Sequence, residues 1–128
     1  MDTLRNLQGE GFDTDYLKVT EQGYVDLEVL ERSIRPSTIA VSIIAVHNEI
    51  GVIQNLKEIG KICKKHKIFF HTDAAQAFGK IPMDAKDWNI DLMSISGQKI
   101  YGPKGVGALY VSRKPRVRLQ RKILLPLT

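Results

Sequence analysis

A run of nine residues, Thr38–Val46, constrains the fold of this chain more than any other part of its sequence. The run is rich in β-branched side chains and almost wholly apolar, without alternation between apolar and polar positions. Such composition is typical of a strand in a sheet that is covered on both faces. The run therefore predicts a central strand.

The segments on either side of this run alternate between strand and helix. Apolar residues at helical spacing predict one helix that starts at Asp26 and stops before Pro36, and a second that contains Leu56, Ile59 and Cys63. A further helix is predicted at 2–9, and further strands at 16–19, 68–71, 92–95 and 105–111. The alternation indicates right-handed βαβ units. The predicted fold class is therefore α/β, a partial doubly wound and mostly parallel sheet.

Composition favours a soluble globular chain, with 43% hydrophobic and 26% charged residues in 128. The longest apolar run, Ile43–Val46, is far shorter than the roughly 20 residues that cross a bilayer. We therefore expect no membrane partner, and the first six residues show neither a secretory signal nor a transit peptide. A single cysteine, Cys63, excludes an internal disulfide framework and fits a reducing compartment.

The net charge of +5 comes largely from a basic run at 113–122. Such a run is a candidate for contact with nucleic-acid phosphates. It lacks interleaved aromatic residues, and Arg116–Leu119 alternates like a strand with one solvated face. We expect a solvated face and no direct nucleic-acid partner.

Polar residues follow three of the predicted strands. They are Asn48 after the first, Asp73 and Gln76 after the second, and Ser96, Gly97, Gln98 and Lys99 after the third. The ends of parallel strands meet at one edge of a sheet, so these groups are expected to converge there. A lysine amine condenses with an aldehyde, and a carboxylate keeps a ring nitrogen protonated. Spacing alone also allows ordinary surface residues, because polar residues follow strands in any α/β protein.

Three strings give a family resemblance. They are Asn48–Gly51, His71–Gln76 and Asp91–Gly105, in this order and at matching intervals. They resemble the cysteine desulfurases of the housekeeping iron-sulfur-cluster assembly type, mitochondrial in eukaryotes, over nearly all of residues 3 to 119. The resemblance implies that residues 1–120 are part of the large domain of a fold type I enzyme that uses pyridoxal 5'-phosphate. Residues 121–128 form a tail that departs from the family.

The resemblance also implies a role for each polar residue at the strand ends. Lys99 would form the Schiff base with pyridoxal phosphate, and Asp73 would pair with the pyridine nitrogen. Asn48 and Gln76 would contact the ring oxygen, while Ser96 and Gly97 would lie at the phosphate. Enzymes of this family are homodimers that bind L-cysteine, transfer its sulfur to an enzyme cysteine as a persulfide and release alanine. The sulfur then supplies iron-sulfur scaffold proteins or tRNA thiolation. The implied location is the mitochondrial matrix, with the cytoplasm as the alternative.

Two positions depart from the family pattern. Gln98 stands where the family has a histidine immediately before the Schiff-base lysine, and His47 replaces the first of two paired asparagines. Glutamine donates a hydrogen bond but does not titrate near neutral pH, so we predict weaker cofactor binding. The family's nucleophilic cysteine, upstream phosphate loop and small domain lie outside the match. These residues alone are therefore expected not to desulfurate cysteine.

Several alternatives stay open at this point. One is a non-catalytic fragment that associates with a full-length subunit, and another is a selenocysteine lyase or a different aminotransferase-like enzyme. His71, Asp73 and His47 could surround a metal, but no third ligand has motif spacing and we expect no metal. Cys63 is interpreted as a core residue and not as the persulfide carrier, because it shares an apolar helix face with Ile59.

Overall fold

The computed structural model describes residues 2–113, which form a four-stranded sheet with helices packed against it. The elements are α1 (Asp2–Gly9), α2 (Leu27–Ser33), β1 (Ala40–Ile44), α3 (Leu56–Lys65), β2 (Phe69–Asp73), β3 (Leu92–Ser96), a one-turn 3₁₀ helix (Gly97–Ile100) and β4 (Gly107–Val111). The predicted strand at Arg116–Leu119 and the predicted boundary after residue 120 lie outside the described residues.

The sheet has the strand order β1-β2-β3-β4. Strands β1, β2 and β3 are parallel neighbours, and β4 runs antiparallel to β3. The prediction of a mostly parallel α/β sheet is therefore confirmed. The parallel arrangement brings the carboxyl ends of the first three strands to the same edge of the sheet.

The prediction that the first apolar strand is central is wrong for the described residues. Strand β1 lies at one edge of the sheet, and its side chains alternate between exposed and half-buried. Within residues 2–113 no strand pairs with its outer side. A β-branched apolar composition shows that a strand tolerates cover on both faces, but it does not supply the neighbours that provide such cover.

Helices α2 and α3 begin where a side chain satisfies the first free backbone N–H groups. The Asp26 carboxylate accepts hydrogen bonds from the N–H groups of Glu28 and Val29, at 2.9 and 3.1 Å. The Asn55 side chain accepts one from the N–H of Glu58 at 3.4 Å. Acceptors at this position are the usual start of a helix, so both beginnings follow from the local sequence.

The two helices are joined at the surface through Glu31 of α2. Its carboxylate lies 2.6 Å from the Lys65 amine and 3.0 Å from Nε2 of His66. These hydrogen bonds, with that from Lys65 the larger, lower the pKa of Glu31 from its ordinary value. His66 is the residue that ends α3, as expected for a partly exposed cap.

The core lies between α3 and the sheet. Leu56, Ile59 and Cys63 are buried on one face of α3, and Phe70 of β2 is buried beneath them. Gly60 lies on the same face, where a Cβ atom would come within 1.8 Å of the Trp88 carbonyl oxygen. The predicted apolar face of this helix is thus confirmed, and the helix approaches the Trp88 backbone closely because residue 60 lacks a side chain.

Two other predictions about local structure are wrong. The segment 16–19 is not a strand, because Val19 forms only an isolated bridge with Val25 and the flanking side chains are largely exposed. The connection between the parallel strands β2 and β3 contains turns in place of a helix. One of these turns is held by Asp84, whose carboxylate accepts hydrogen bonds from the N–H groups of Lys86 and Asp87.

Across residues 2–113, no helix combines the length and the apolar content that crossing a membrane requires.

Candidate functional site

The candidate site lies at the sheet edge formed by the carboxyl ends of β1, β2 and β3. Just beyond the paired strands, the Ala45 N–H donates to the Asp73 carbonyl at 2.8 Å, and the Ala74 N–H donates to the Ser94 carbonyl at 2.9 Å. These bonds extend the parallel ladders by one residue. The three loops that follow the strands therefore start side by side.

The loop after β1 carries Asn48. A bridge between Val46 and Ile53 closes this loop, and the Gly51 N–H donates to the His47 carbonyl at 2.9 Å. Gly51 has a φ of 65°, the left-handed conformation in which glycine meets no Cβ penalty. The Asn48 side chain is consequently held on an exposed turn at the edge of the sheet.

The end of this loop is also fixed by the buried side-chain amide of Gln54. The side chain of Gln54 accepts a hydrogen bond from the Val25 N–H at 2.9 Å and donates one to the Gly23 carbonyl at 2.8 Å. Both hydrogen-bonding ends of the amide are thereby satisfied, as burial requires. The segment before α2 and the loop that carries Asn48 are fixed to each other.

The end of β2 and the loop after it carry Asp73 and Gln76, which are both half-buried. Asp73 is the last residue of the strand, and its Oδ1 accepts a hydrogen bond from the Ala75 N–H at 2.9 Å. A tight turn follows, in which the N–H groups of Ala77 and Phe78 both donate to the Ala74 carbonyl. This turn directs the chain away from the sheet directly after the carboxylate.

The end of β3 carries Ser96, and the 3₁₀ helix that follows carries Gly97, Gln98 and Lys99. The Gly97 N–H donates to the Val106 carbonyl at 2.8 Å, and a Cβ atom at Gly97 would lie 2.8 Å from the same oxygen. The 3₁₀ helix and β4 are thus packed together without room for a side chain. Gln98 and Lys99 are exposed on this turn. Ser96 makes no capping hydrogen bond with its side chain.

The structure brings all seven predicted cofactor-binding residues to one edge of the sheet. Asp73 ends β2 and Lys99 follows β3, the parallel neighbour of β2, so both belong to the same edge. Together the seven supply one amine, one carboxylate, three amides, one hydroxyl and one glycine backbone. This set matches the aldehyde, pyridine nitrogen, ring oxygen and phosphate of pyridoxal phosphate. The Gly97 N–H already donates to the Val106 carbonyl. The predicted role of Gly97 at the phosphate therefore depends on the close approach of the phosphate that a residue without a side chain allows.

Two open clefts lie elsewhere in the molecule. One is lined by 11–15 with Gln8 and Arg35, and the other by 16–20 with residues of α2. Neither contains Asp73 or Lys99. They are shallow, and they lack the convergence of strand ends that characterises ligand sites in α/β sheets. The sheet edge is therefore the better candidate site.

The chain's single cysteine lies in the core, away from the sheet edge. Cys63 is 1% exposed, and burial, aided by the charge of Asp91, raises its pKa to about 12. The prediction that it is a core residue is confirmed. In the described part of the chain, no group of three His, Cys, Asp or Glu side chains is placed to hold a metal ion.

Sequence reasoning missed Ser42. Its Oγ lies 2.7 Å from Nδ1 of His71, across the pair β1 and β2. The two residues are 29 positions apart, and only the register of the strands brings them opposite each other. The one available signal was a polar residue in the middle of the apolar run Thr38–Val46.

Comparison with known proteins defines the class of this chain. The sequence profile described as "Aminotransferase class-V" matches residues 3–124, so the chain belongs to the aminotransferase class-V family. It is 62% identical over 119 residues to the mitochondrial cysteine desulfurase of Candida albicans, and 63% identical over 120 residues to that of Arabidopsis thaliana. These matches cover 93% and 94% of this chain but 24% and 26% of the relatives.

A solved structure shares the fold. The structure described as SspA in complex with cysteine superimposes with a TM-score of 0.83 at 46% identity, over 86% of this chain and 32% of that one. The chain thus spans about a quarter to a third of the length of the proteins that it matches. The predicted resemblance to cysteine desulfurases and the fold type I architecture are confirmed.

Proposed function

We propose that this chain is the cofactor-holding part of a cysteine desulfurase. The observation that carries the proposal is the parallel register of β1, β2 and β3, which brings an amine, a carboxylate and amides to one edge of the sheet. The identity of about 60% to mitochondrial cysteine desulfurases gives the same assignment. The whole reaction is the conversion of L-cysteine to L-alanine, with transfer of sulfur to an enzyme cysteine as a persulfide.

Each residue at the edge has a distinct proposed task. Pyridoxal phosphate supplies an aldehyde carbon and an electron-withdrawing ring. The Lys99 amine, exposed on the 3₁₀ helix, binds that aldehyde, and the half-buried Asp73 carboxylate holds a proton on the ring nitrogen. Asn48 and Gln76 donate to the ring oxygen, while Ser96, Gly97 and Gln98 hold the phosphate.

The substrate, partners and compartment follow from the relatives. L-cysteine is the proposed substrate, and the similar structure of SspA contains cysteine. We propose a homodimer that supplies sulfur to iron-sulfur scaffold proteins and to tRNA thiolation. The mitochondrial names of the relatives support the mitochondrial matrix as the place of action.

The test is a titration of the chain with pyridoxal phosphate, followed by absorbance of the lysine adduct. Wild type is expected to give a saturable adduct band that resists dialysis and disappears on borohydride reduction, which converts the adduct to an acid-stable secondary amine. Lys99→Ala is expected to lose this band. Lys104→Ala is the matched control, because Lys104 is an exposed lysine of the same loop.

Two results would contradict the proposal. One is an adduct that persists in Lys99→Ala, which would show reaction at another lysine. The other is equal loss of the band in Lys104→Ala and Lys99→Ala, which would show that the loop matters and the particular amine does not. A retained far-UV circular dichroism spectrum confirms in each case that the variant has folded.

Gln98 gives a further prediction about cofactor affinity. Replacing Gln98 by His restores the residue type that the cysteine desulfurases have before the lysine. We expect the dissociation constant for pyridoxal phosphate to fall by about fivefold, since one added hydrogen bond or aromatic contact is worth about 1 kcal/mol. Weaker binding by Gln98→His in the same absorbance titration would show that glutamine is the better ligand here.

A further inference from the structure

A hydrogen bond joins Ser42 and His71 on the two strands β1 and β2, two residues before these strands end at the candidate site. The two residues are directly paired in the register of β1 and β2, and Ser42 Oγ lies 2.7 Å from His71 Nδ1. Alternate residues of a strand share one face of the sheet, so His71 and Asp73 lie on the same face of β2. The pair therefore stands next to the carboxylate to which the proposed function gives the ring nitrogen.

His71 has surroundings that favour its neutral form. Its side chain is half-buried, and burial lowers its pKa, although the negative charge of Asp73 acts in the opposite direction. Its direct partners in the neighbouring strands are Ser42 on β1 and Leu92 on β3, and neither carries a charge. A neutral imidazole has one nitrogen that donates and one that accepts.

The bond to Ser42 selects between the two forms of the ring. If the serine hydroxyl donates to Nδ1, the proton of the ring resides on Nε2, which then has a hydrogen to donate. Asp73 has an oxygen that can accept this hydrogen. Its Oδ1 accepts from the Ala75 N–H, and within residues 2–113 its other carboxylate oxygen has no hydrogen-bond partner. The acceptor and the remaining donor lie on one face of the same strand.

We propose that Ser42 and His71 are positioning residues for Asp73. The Ser42 hydroxyl holds the His71 ring in the form with hydrogen on Nε2, and this hydrogen is the donor that the second carboxylate oxygen of Asp73 accepts when the carboxylate turns toward the ring nitrogen. The proposal rests on the proposed function for its consequence, which is a carboxylate held in the orientation that meets the ring nitrogen. It adds support from two paired strands to a site that otherwise depends on strand ends and loops.

Two substitutions at His71 separate positioning from simple structural support. The amide nitrogen of glutamine lies near the place of Nε2, whereas that of asparagine lies near the place of Nδ1. His71→Gln therefore keeps the donor toward Asp73, and His71→Asn keeps the contact with Ser42. Positioning predicts that His71→Asn weakens pyridoxal phosphate binding by about fivefold, the worth of one hydrogen bond, and that His71→Gln stays close to wild type. The opposite order would overturn the proposal.

The protein without cofactor gives a second, independent readout. Imidazole ¹⁵N–¹H correlation spectra are expected to show His71 with hydrogen on Nε2 in wild type, and a mixture of both forms in Ser42→Ala. His71→Asn assigns the signal by removing it. Hydrogen on Nδ1 in wild type, or no change in Ser42→Ala, would overturn the proposal.

The two readouts distinguish the two hypotheses. If wild type fails to form a Lys99-dependent adduct, the proposed function is wrong, and the spectra without cofactor still decide whether Ser42 fixes the ring. If the adduct forms but its affinity and the pH profile of its absorbance are the same in wild type, Ser42→Ala and His71→Asn, the proposed function stands and the positioning role is wrong.

Discussion

At the scale of single residues, burial decides what Cys63 does. The thiol packs on the inner face of α3, and its raised pKa of about 12 keeps it protonated across the neutral range. We expect no alkylation of the native protein by iodoacetamide at pH 7.5 within the time that fully labels the protein in urea. Because Cys63 is the chain's single cysteine, mass spectrometry reports on this residue alone.

The same pKa shift gives a dependence of stability on pH. The folded-state pKa lies above the ordinary value of 9.0, so the folded protein keeps a proton that the unfolded chain releases. The contribution is complete below pH 9 and is lost as the pH rises toward 12. Urea unfolding at pH 8 and pH 10 should therefore show a larger decrease in stability for wild type than for Cys63→Ala. Equal decreases would contradict the shifted pKa.

At the scale of elements, Gly60 sets how closely α3 approaches the Trp88 backbone. Replacing it by alanine places a Cβ atom 1.8 Å from the Trp88 carbonyl oxygen, so the helix or the turn has to move. We expect Gly60→Ala to lower the free energy of unfolding by about 2 to 3 kcal/mol, the usual effect of overpacking, although alanine favours an isolated helix. Urea unfolding measures this change.

Gly9→Ala is the matched control for this prediction. Gly9 is the last residue of α1, and a Cβ atom there would meet no other atom within 4 Å. We expect its stability to stay within about 1 kcal/mol of wild type, or to increase. Equal destabilisation by both substitutions would show that contact with Trp88 is not the cause.

Asp91 ties the first residues of β3 to their neighbours. Its buried carboxylate accepts a hydrogen bond from the Phe70 N–H of β2 at 2.9 Å and a weaker one from the Ser112 hydroxyl at 3.4 Å. Asp91→Ala leaves a buried N–H without its acceptor, and we expect a loss of about 2 kcal/mol in urea unfolding. Asp87→Ala is the control, since Asp87 pairs with Lys57 at the exposed surface and should leave stability unchanged. Similar losses in both variants would refute the role of burial.

Local sequence patterns predicted the individual helices and strands better than they predicted which strands pair with each other. The face of α3 with Ile59 and Cys63, and the cap at Asp26, depend on residues close in sequence, and both were predictable. The edge position of β1 and the bond between Ser42 and His71 depend on which strands pair and in which register. A single sequence does not contain that information in its periodicity, so these features became visible only in the structure.

The candidate site was likewise predictable where it depends on local sequence, and not where it depends on strand pairing. The types of residue after each strand predicted a lysine, a carboxylate and amides at one edge, and the parallel order of β1 to β3 places them there. The hydrogen bond that commits the Gly97 N–H to the Val106 carbonyl was not predictable, because it depends on how the antiparallel strand β4 returns along β3.

At the scale of the whole molecule, the described residues leave sheet surface uncovered. Strand β1 has an unpaired edge, and Ile39 beside it is 61% exposed. At the other edge, Leu109 and Tyr110 of β4 are also exposed. Unpaired strand edges with apolar side chains are templates for association. The chain spans about a quarter of the length of its relatives, whose other segments have the length to cover such surfaces.

We therefore expect the 128-residue chain to self-associate as its concentration rises, and sedimentation velocity measures this directly. Ile39→Lys places a charge at the β1 edge, where lysine opposes strand pairing, and should shift the distribution toward monomer. Thr3→Lys adds the same charge on the exposed surface of α1, away from the sheet, and should have no such effect. If both variants dissociate equally, net charge and not the open strand edge governs association. If wild type is monomeric throughout, the edge is protected, and β1 must have cover that residues 2–113 do not provide.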